Sequence, residues 1–269
     1  MRIVNIKEDC HPCFEGGCKK GRIHLPVAPI CNVQCNYCKR DFDCINESRP
    51  GVSSHIMTPE EACEYFEHNI NIYDLAVAGI AGPGDSLANW SNVKKTFNLI
   101  KNVKEDISFC LSTNGLLLPE LATEIKDVGV EYVTVTVNSL DKEIAAEIYD
   151  NVVLDGVVKT GYEAADCLIE KQREGMSVLS DLNIKTKINF VLIPGINESQ
   201  IEVVAKFAAQ NRVAIMNIIP LIPIKGTKFG ELKVLHLYQE LKNYQSIAAE
   251  WVPVMKHCTH CRADAVGYL

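Results

Sequence analysis

Six short runs of β-branched and apolar residues, separated by longer stretches of helical character, predict an α/β fold on a parallel sheet. Parallel neighbours need crossover connections, which are almost always right-handed. Six such units are fewer than the eight of a closed barrel, so the expected architecture is a partial, open (β/α)6 barrel of the TIM-like kind. A length of 269 residues suits one domain of this type and leaves enough apolar side chains for a core without disulfide staples.

Ile23–Ile30 reads as the first strand, and a cysteine-rich loop follows to about Val52. Thr58-Pro59-Glu60-Glu61 is a helix start, with threonine as N-cap, proline in the first turn and glutamate at the third position. Leu75–Ile80 is strand-like and Asn92–Val103 helical. Ile107–Leu111 and Tyr132–Val137 are strands on either side of a helix begun by Pro119. Helices follow near Lys142–Tyr149 and Gly156–Glu174. Lys185–Leu192 and Val213–Ile219 complete the strands, with Ser199–Gln210 helical between them and a last helix over residues 230–250. Residues 1–269 thus form a single domain: a barrel over 23–250 with cysteine-bearing extensions at 1–22 and 251–269.

The chain is 47% hydrophobic and carries 27 basic and 34 acidic side chains, a formal charge of −7. That composition excludes disorder, and the acidic balance argues against a nucleic-acid partner. Met1–Asp9 carries charges where a signal peptide needs an apolar stretch. The most apolar uncharged run, Val213–Ile224, has 12 residues and two prolines. It falls short of the ~20 residues needed to cross a bilayer. The expectation is a cytoplasmic protein with no membrane association. There, reduced thiols hold metal more often than they form disulfides, and this chain has 12 cysteines to explain.

Cys31-Asn32-Val33-Gln34-Cys35-Asn36-Tyr37-Cys38 is a C-x3-C-x2-C run directly after the first strand. Three thiolates on one tight loop suit three irons of a 4Fe-4S cubane, which leaves the fourth iron open to a substrate or cofactor. A zinc loop is the competing reading, although zinc usually takes pairs of ligands around a longer insert. The loop, the strand before it and the aromatic Tyr37 resemble the radical SAM superfamily. That resemblance implies an open iron that binds S-adenosylmethionine and an electron transfer that cleaves it to methionine and a 5′-deoxyadenosyl radical. Ala81-Gly82-Pro83-Gly84-Asp85 after the second strand resembles the turn that receives the methionine amino group, with Gly82 and Gly84 permitting close approach. Ser112, Thr113, Asn114, Asn138 and Asn189 lie at or near strand C-termini. As a set they suit ribose or carboxylate oxygens, although singly each could be a turn or cap residue.

Nine cysteines remain. Cys63 and Cys167 fall in helical patterns among apolar neighbours and read as small hydrophobes. Cys10-His11-Pro12-Cys13 and Cys258-Thr259-His260-Cys261 are C-x2-C pairs that could join in a four-cysteine zinc site or hold further iron–sulfur clusters. Five segments taken in order resemble the NifB family of nitrogenase cofactor maturases: His11-Pro12-Cys13-Phe14, His24-Leu25-Pro26-Val27-Ala28-Pro29, Asn46-Glu47-Ser48-Arg49-Pro50-Gly51, Ala81–Asp85 and Cys258–Ala265.

That narrower resemblance implies a carbide synthase that fuses two 4Fe-4S precursor clusters into an eight-iron cofactor precursor. One S-adenosylmethionine donates a methyl group and a second supplies the radical. It implies His24, Cys44 and Cys110 as ligands of one precursor cluster and Cys13, Cys258 and Cys261 as ligands of the other, with Cys10 or Cys18 as alternatives to Cys13. Full extension of residues 24–31 would put His24 roughly 23 Å from Cys31, which excludes it from the first cluster; a packed strand histidine is the plainer reading. Glu47 is a candidate base and Arg49 a candidate anchor for anionic clusters, beside the ordinary reading of a surface charge pair. Implied partners are an iron–sulfur cluster donor, an electron donor such as a ferredoxin, and a downstream carrier or scaffold protein, since many members carry an extra C-terminal carrier domain and this chain ends soon after Gly267. Two other classes stay open: a radical SAM enzyme with auxiliary clusters acting on a peptide or small molecule, and a non-enzymatic iron–sulfur scaffold or electron carrier.

Overall fold

The structure is a computed structural model that describes residues 10–15, 18–49, 52 and 54–268. Met1–Asp9, whose charges enter the signal-peptide reading, and Pro50-Gly51 of the Asn46–Gly51 motif lie outside the described residues.

In chain order the elements are β1 (Gly21–His24), β2 (Val33–Cys35), α1 (Pro59–Ile70), β3 (Leu75–Ile80), α2 (Trp90–Val103), β4 (Ser108–Thr113), α3 (Leu118–Val128), β5 (Val130–Thr136), α4 (Lys142–Ile148), β6 (Tyr149–Leu154), β7 (Val157–Thr160), α5 (Gly161–Asp181), β8 (Lys185–Leu192), α6 (Gln200–Gln210), β9 (Ile215–Pro220), α7 (Leu235–Ala249) and β10 (Val266–Gly267). The main sheet runs β10-β1-β3-β4-β5-β8-β9. Its six strands from β1 to β9 are parallel and sequential, and helices connect them, which is the expected half-barrel. The expected helix start is present in full: Thr58 Oγ1 accepts from Glu61 N at 3.2 Å and Glu61 Oε2 accepts from Thr58 N at 2.7 Å.

Four features differ from the expectation. The first strand ends at His24 rather than Ile30, because Pro26 and Pro29 have no N–H for a ladder. The chain still tracks the barrel edge, through Leu25 N to Gly79 O at 2.9 Å and a bridge from Ala28 to Pro83. The cysteine loop contains β2, which pairs antiparallel with β6 in a second, three-stranded sheet. The helix expected from Gly156 begins at Gly161, because the preceding residues fold into the β6–β7 hairpin. Asp155 and Gly156 make its turn at φ 52° and 76°. Finally, β10 lies antiparallel on β1, pairing Gly267 with Arg22 and Val266 with Ile23. That pairing carries the C-terminal cysteines back to the barrel.

Two apolar cores result. The larger fills the space between the sheet and α1, α2, α3 and α6. The smaller packs Val33, Cys35, Tyr37 and Ile45 of the cysteine loop against α4, the hairpin and α5. Cys63 and Cys167 are half-buried against one core each, as expected of small hydrophobes. Among the described residues no helix is long and apolar enough to cross a membrane.

Candidate active site

Two cavities open at the C-terminal ends of the strands, and they share a wall made by Asn46, Glu47 and Ser112. The first is a small cleft beside the cysteine loop. Cys31, Cys35 and Cys38 line it together with Cys44, Gly84, Asp85, Ser112, Thr113 and Asn114. The loop that carries the three thiols is set by backbone pairing of Val33 with Val152 and Cys35 with Tyr149. Gln34 Nε2 ties it closed by donating to Cys35 O at 3.0 Å and Cys38 O at 3.1 Å. All three cysteines are free, and burial, the largest cause in each case, pushes their thiols up from the usual range. They therefore stay protonated until metal binds, and binding releases protons. Three thiols on one side and the hydroxyls and amides of Ser112, Thr113 and Asn114 on the other fit a three-ligand cubane whose open iron takes a small polar ligand.

The expected cofactor contacts do not all reach this cavity. Tyr37 is fully buried, and its hydroxyl donates to Asn46 Oδ1 at 2.8 Å and accepts from Asn138 Nδ2 at 2.6 Å. Asn138 Oδ1 in turn accepts from Val191 N at 2.8 Å. Both side chains stand behind the wall and lock the cysteine loop to β8. Gly84 lines the cavity, and its backbone is held against the β1 extension by Gly84 N to Ala28 O at 2.6 Å and Asp85 N to Ile30 O at 2.8 Å. A Cβ on Gly84 would collide with Ile30 O, so only glycine fits. Gly82, at φ 129°, lies two residues earlier and off the lining. The Asp85 carboxylate already accepts from Leu87 N at 2.9 Å, Ala88 N at 3.2 Å, Asn114 N at 2.6 Å and Thr113 Oγ1 at 3.0 Å. It joins the loops after β3 and β4, and few of its lone pairs remain for a ligand.

The second cavity is lined by Cys13, His24, Cys110, Cys258 and Cys261. Strand register explains how His24 and Cys110 meet. Gly79 pairs with His24 on one side and Cys110 on the other, so all three face the barrel interior. A Cβ on Gly79 would lie 2.6 Å from Cys110 Sγ and 3.3 Å from His24 Cδ2. Gly79→Ala should therefore push both side chains out of register at a stability cost of about 1–3 kcal/mol. Iron analysis and electron paramagnetic resonance should then find second-cavity iron lost and the Cys31–Cys38 cluster kept. His24 Nδ1 donates to Arg262 O at 3.1 Å, which leaves the Nε2 lone pair for a metal. Burial first, and then the Arg22 charge, hold His24 down to about 4, so the ring is neutral. Arg22 Nη2 donates to Cys261 Sγ at 2.8 Å and Nη1 to Gly267 O at 2.9 Å, fixing the returning tail.

The structure groups the expected cluster ligands differently from the two trios. Cys13 lines the same cavity as His24 and Cys110, and Cys44 lines the other, beside the Cys31–Cys38 loop. Cys10 and Cys18 form a disulfide with a Cα–Cα distance of 5.6 Å. That pairing removes both as alternatives to Cys13, and it removes Cys10 from a four-cysteine zinc site with Cys13, Cys258 and Cys261. Among the described residues it is the exception to the expectation that thiols hold metal more often than they form disulfides. Among the described residues, no three His, Cys, Asp or Glu side chains converge on a single ion.

Glu47 is half-buried on the shared wall, where its carboxylate accepts from Thr136 Oγ1 at 3.2 Å and Asn189 Nδ2 at 3.0 Å. Burial pushes its pKa up to about 7 against the opposing pull of Lys187 and these hydrogen bonds. Asn189 is thus an orienting residue for Glu47 on the second cavity. Arg49 is exposed and ties its loop to the tail, Nε to His260 O at 3.0 Å and N to Cys261 O at 3.2 Å. Sequence reasoning missed Lys187 and His11, both buried on the second cavity. Burial works against the Lys187 charge, and Cys13, Glu47, Cys258 and Cys110 more than offset it, so its pKa lies above the ordinary value. The period-2 set Lys185-Lys187-Asn189 in an otherwise apolar strand was the available signal.

A family model for the radical SAM superfamily matches residues 25–208, about two thirds of the chain. The chain belongs to the radical SAM superfamily. Solved structures of low sequence identity share the fold. Streptococcus suis SuiB aligns over 88% of this chain and 50% of its own at a TM-score of 0.64 and 13% identity. The structure described as native anSMEcpe with bound AdoMet and Kp18Cys peptide aligns over 86% of this chain and 62% of its own at a TM-score of 0.58 and 17% identity. Similarity in sequence is far higher to proteins named FeMo cofactor biosynthesis protein NifB. This radical SAM chain is 48% identical to the one from Klebsiella pneumoniae over 99% of its length and 58% of the relative's. The corresponding figures are 39%, 99% and 54% for Azotobacter vinelandii, and 37%, 99% and 63% for Chlorobaculum tepidum. The chain spans little more than half the length of these curated relatives.

Proposed function

We propose that this chain catalyses carbide formation in the biosynthesis of the nitrogenase iron–molybdenum cofactor. Its substrates are two 4Fe-4S clusters, fused into an eight-iron, carbide-containing precursor, and S-adenosylmethionine serves as both methyl donor and radical source. The observation that carries this reading is the adjacency of the two cavities: a three-thiol cavity suited to radical generation shares Glu47 with a second cavity rich in cysteine and histidine. The similarity to NifB proteins supports it.

When bound, the cluster on Cys31, Cys35 and Cys38 would supply the electron that cleaves S-adenosylmethionine. In methyl transfer, CH3 moves as a cation to a sulfide of a substrate cluster and S-adenosylhomocysteine departs. One methyl hydrogen then leaves as an atom to the 5′-deoxyadenosyl radical, giving 5′-deoxyadenosine, and the other two leave as protons. The carbon–sulfur bond breaks as three electrons from the reduced clusters and the electron donor bring the carbon to carbide. Glu47 is the carboxylate placed to accept a proton at its Oε atoms, with Thr136 and Asn189 holding it toward the shared opening. His24, Cys110, Cys13, Cys258 and Cys261 are the substrate-cluster ligands from the second cavity, and Cys44 contributes from the first. Ser112, Thr113 and Asn114 hold S-adenosylmethionine; Asp85, Gly82 and Gly84 shape the turn beneath it, and Tyr37 and Asn138 brace the cysteine loop. Arg49 holds the tail that carries Cys261. The proposed location is the cytoplasm, and the proposed partners are a cluster donor, a ferredoxin-like electron donor and an acceptor carrier protein.

The test is anaerobic turnover of the reconstituted chain with S-adenosylmethionine, reductant and no organic substrate. Both 5′-deoxyadenosine and S-adenosylhomocysteine are expected by mass spectrometry, from protein holding about twelve irons. Cys258→Ala should lose about four of them. Cleavage without S-adenosylhomocysteine would instead favour an auxiliary-cluster enzyme acting on a peptide or small molecule. No cleavage by iron-replete protein would favour a scaffold or electron carrier.

A further inference from the structure

Two histidines enter the second cavity with opposite hydrogen-bonding arrangements. His24 donates from Nδ1 to the Arg262 carbonyl, so its Nε2 is a lone pair. In His11 the roles reverse. Its Nδ1 accepts the Cys13 N–H at 3.2 Å. Its own carbonyl, the other nearby acceptor, already receives Phe14 N and Glu15 N at 2.9 Å each. The ring proton of His11 therefore sits on Nε2, which makes that atom a donor and not a metal ligand.

This donor is stranded. His11 is 3% exposed, and its Nε2 is buried without a partner among the described residues. Phe14 and Tyr132 pack against the ring at centroid distances of 4.9 and 4.3 Å, so it cannot swing the N–H toward solvent. A buried N–H left without an acceptor is destabilising, and the usual resolution is a bound group that supplies one. The cavity that His11 lines is walled by Cys13, Cys110, Cys258 and Cys261, with buried Lys187 among them. Those thiols and that cation suit an anionic, sulfur-bearing occupant rather than a neutral organic one.

We propose that His11 is a positioning residue whose Nε2–H donates to a sulfur of the iron–sulfur cluster bound in the second cavity, a bridging sulfide or a ligating thiolate. The proposal rests on the reading of that cavity as a substrate-cluster site. An N–H···S bond stabilises the added charge of a reduced cluster, so it raises the reduction potential and fixes the cluster's orientation relative to His24.

The experiment uses the full chain reconstituted anaerobically with iron and sulfide. His11→Phe keeps an aromatic ring against Phe14 and Tyr132 but removes the donor, and His11→Gln restores one. Three quantities are read: iron per chain, the potential of the second-cavity cluster in an electron paramagnetic resonance titration, and the coupling of an exchangeable deuteron to that cluster in D2O. The expected result is full iron in both variants, with a lower potential and a weakened deuteron coupling in His11→Phe, the part from Arg22 on Cys261 remaining, and both restored in His11→Gln. An unchanged potential and coupling in an iron-replete His11→Phe protein overturns the donor role while leaving the cavity assignment intact. Loss of second-cavity iron from both variants, with the Cys31–Cys38 cluster kept, overturns it in favour of direct ligation. Wild-type protein that takes up only first-cavity iron overturns the cavity reading and the donor role together.

Discussion

Cys35→Ala should fold, lose about four irons and cleave no S-adenosylmethionine at a detectable rate. Its largest effect follows from position. Cys35 is the one buried thiol of the loop, sits in β2 paired with Tyr149, and packs in the smaller core with Val33 and Tyr37. Removing one sulfur from that core leaves a small void, and a Cys→Ala truncation of this size costs about 1–2 kcal/mol, too little to unfold a domain of this length. Removing one of three cluster ligands leaves two, which cannot hold a cubane with a free iron. The check is thermal unfolding by circular dichroism alongside iron content and 5′-deoxyadenosine yield. A variant that melts near the wild type yet still forms 5′-deoxyadenosine would remove the Cys31–Cys38 loop from the chemistry.

Glu47→Gln should leave S-adenosylmethionine cleavage in place and slow the steps that need a proton acceptor by about 10²–10⁴-fold. In the wild type, formation of the eight-iron product should rise with pH through about 7, as burial of Glu47 dictates, and the variant should lack that rise. A stability effect of opposite sense accompanies it. Between pH 4.5 and about 7 the folded chain holds a proton on Glu47 that the unfolded chain has released, so stability falls as pH rises across that window. The full shift corresponds to at most about 3 kcal/mol. Glu47→Gln carries no such penalty and should gain stability over the wild type at pH 8 but not at pH 4.5. Denaturant melts of the metal-free protein at the two pH values measure this, and equal differences at both would show that Glu47 titrates as an ordinary carboxylate.

Most of the fold was legible because it rests on local signals. The bounds of β3 and β8 match the apolar runs read from the chain, and the Thr58–Glu61 capping box marks α1 at its first residue. The hairpin of β6 and β7 was legible in principle, since Asp155-Gly156 between valine-rich flanks is a strong two-residue turn signal. It was lost to the helical pattern that begins beside it. β2 and β10 were not legible, being three and two residues long and formed only because a distant partner strand is available. Tyr37 and Asp85 illustrate the same limit within the site. Their residue types suggested ligand contacts, yet a buried hydroxyl and a buried carboxylate must first satisfy their own hydrogen bonds, and here protein groups satisfy most of them.

The sequence by itself determined six β/α units and the three-thiol loop, because periodicity and C-x3-C-x2-C spacing act within a few residues of chain. Only the tertiary structure decided which of the remaining cysteines share a cavity. His11, His24, Cys110, Lys187 and Cys258 are spread over nearly the whole chain and meet because of strand register, the missing side chain at Gly79 and the antiparallel return of β10 onto β1. Period-2 alternation tells which face a strand residue takes, but not what stands across the barrel from it. The same packing gave His24 its tautomer, through an Arg262 carbonyl 238 residues along the chain, whereas His11 takes the opposite tautomer from the amide of Cys13 two residues away.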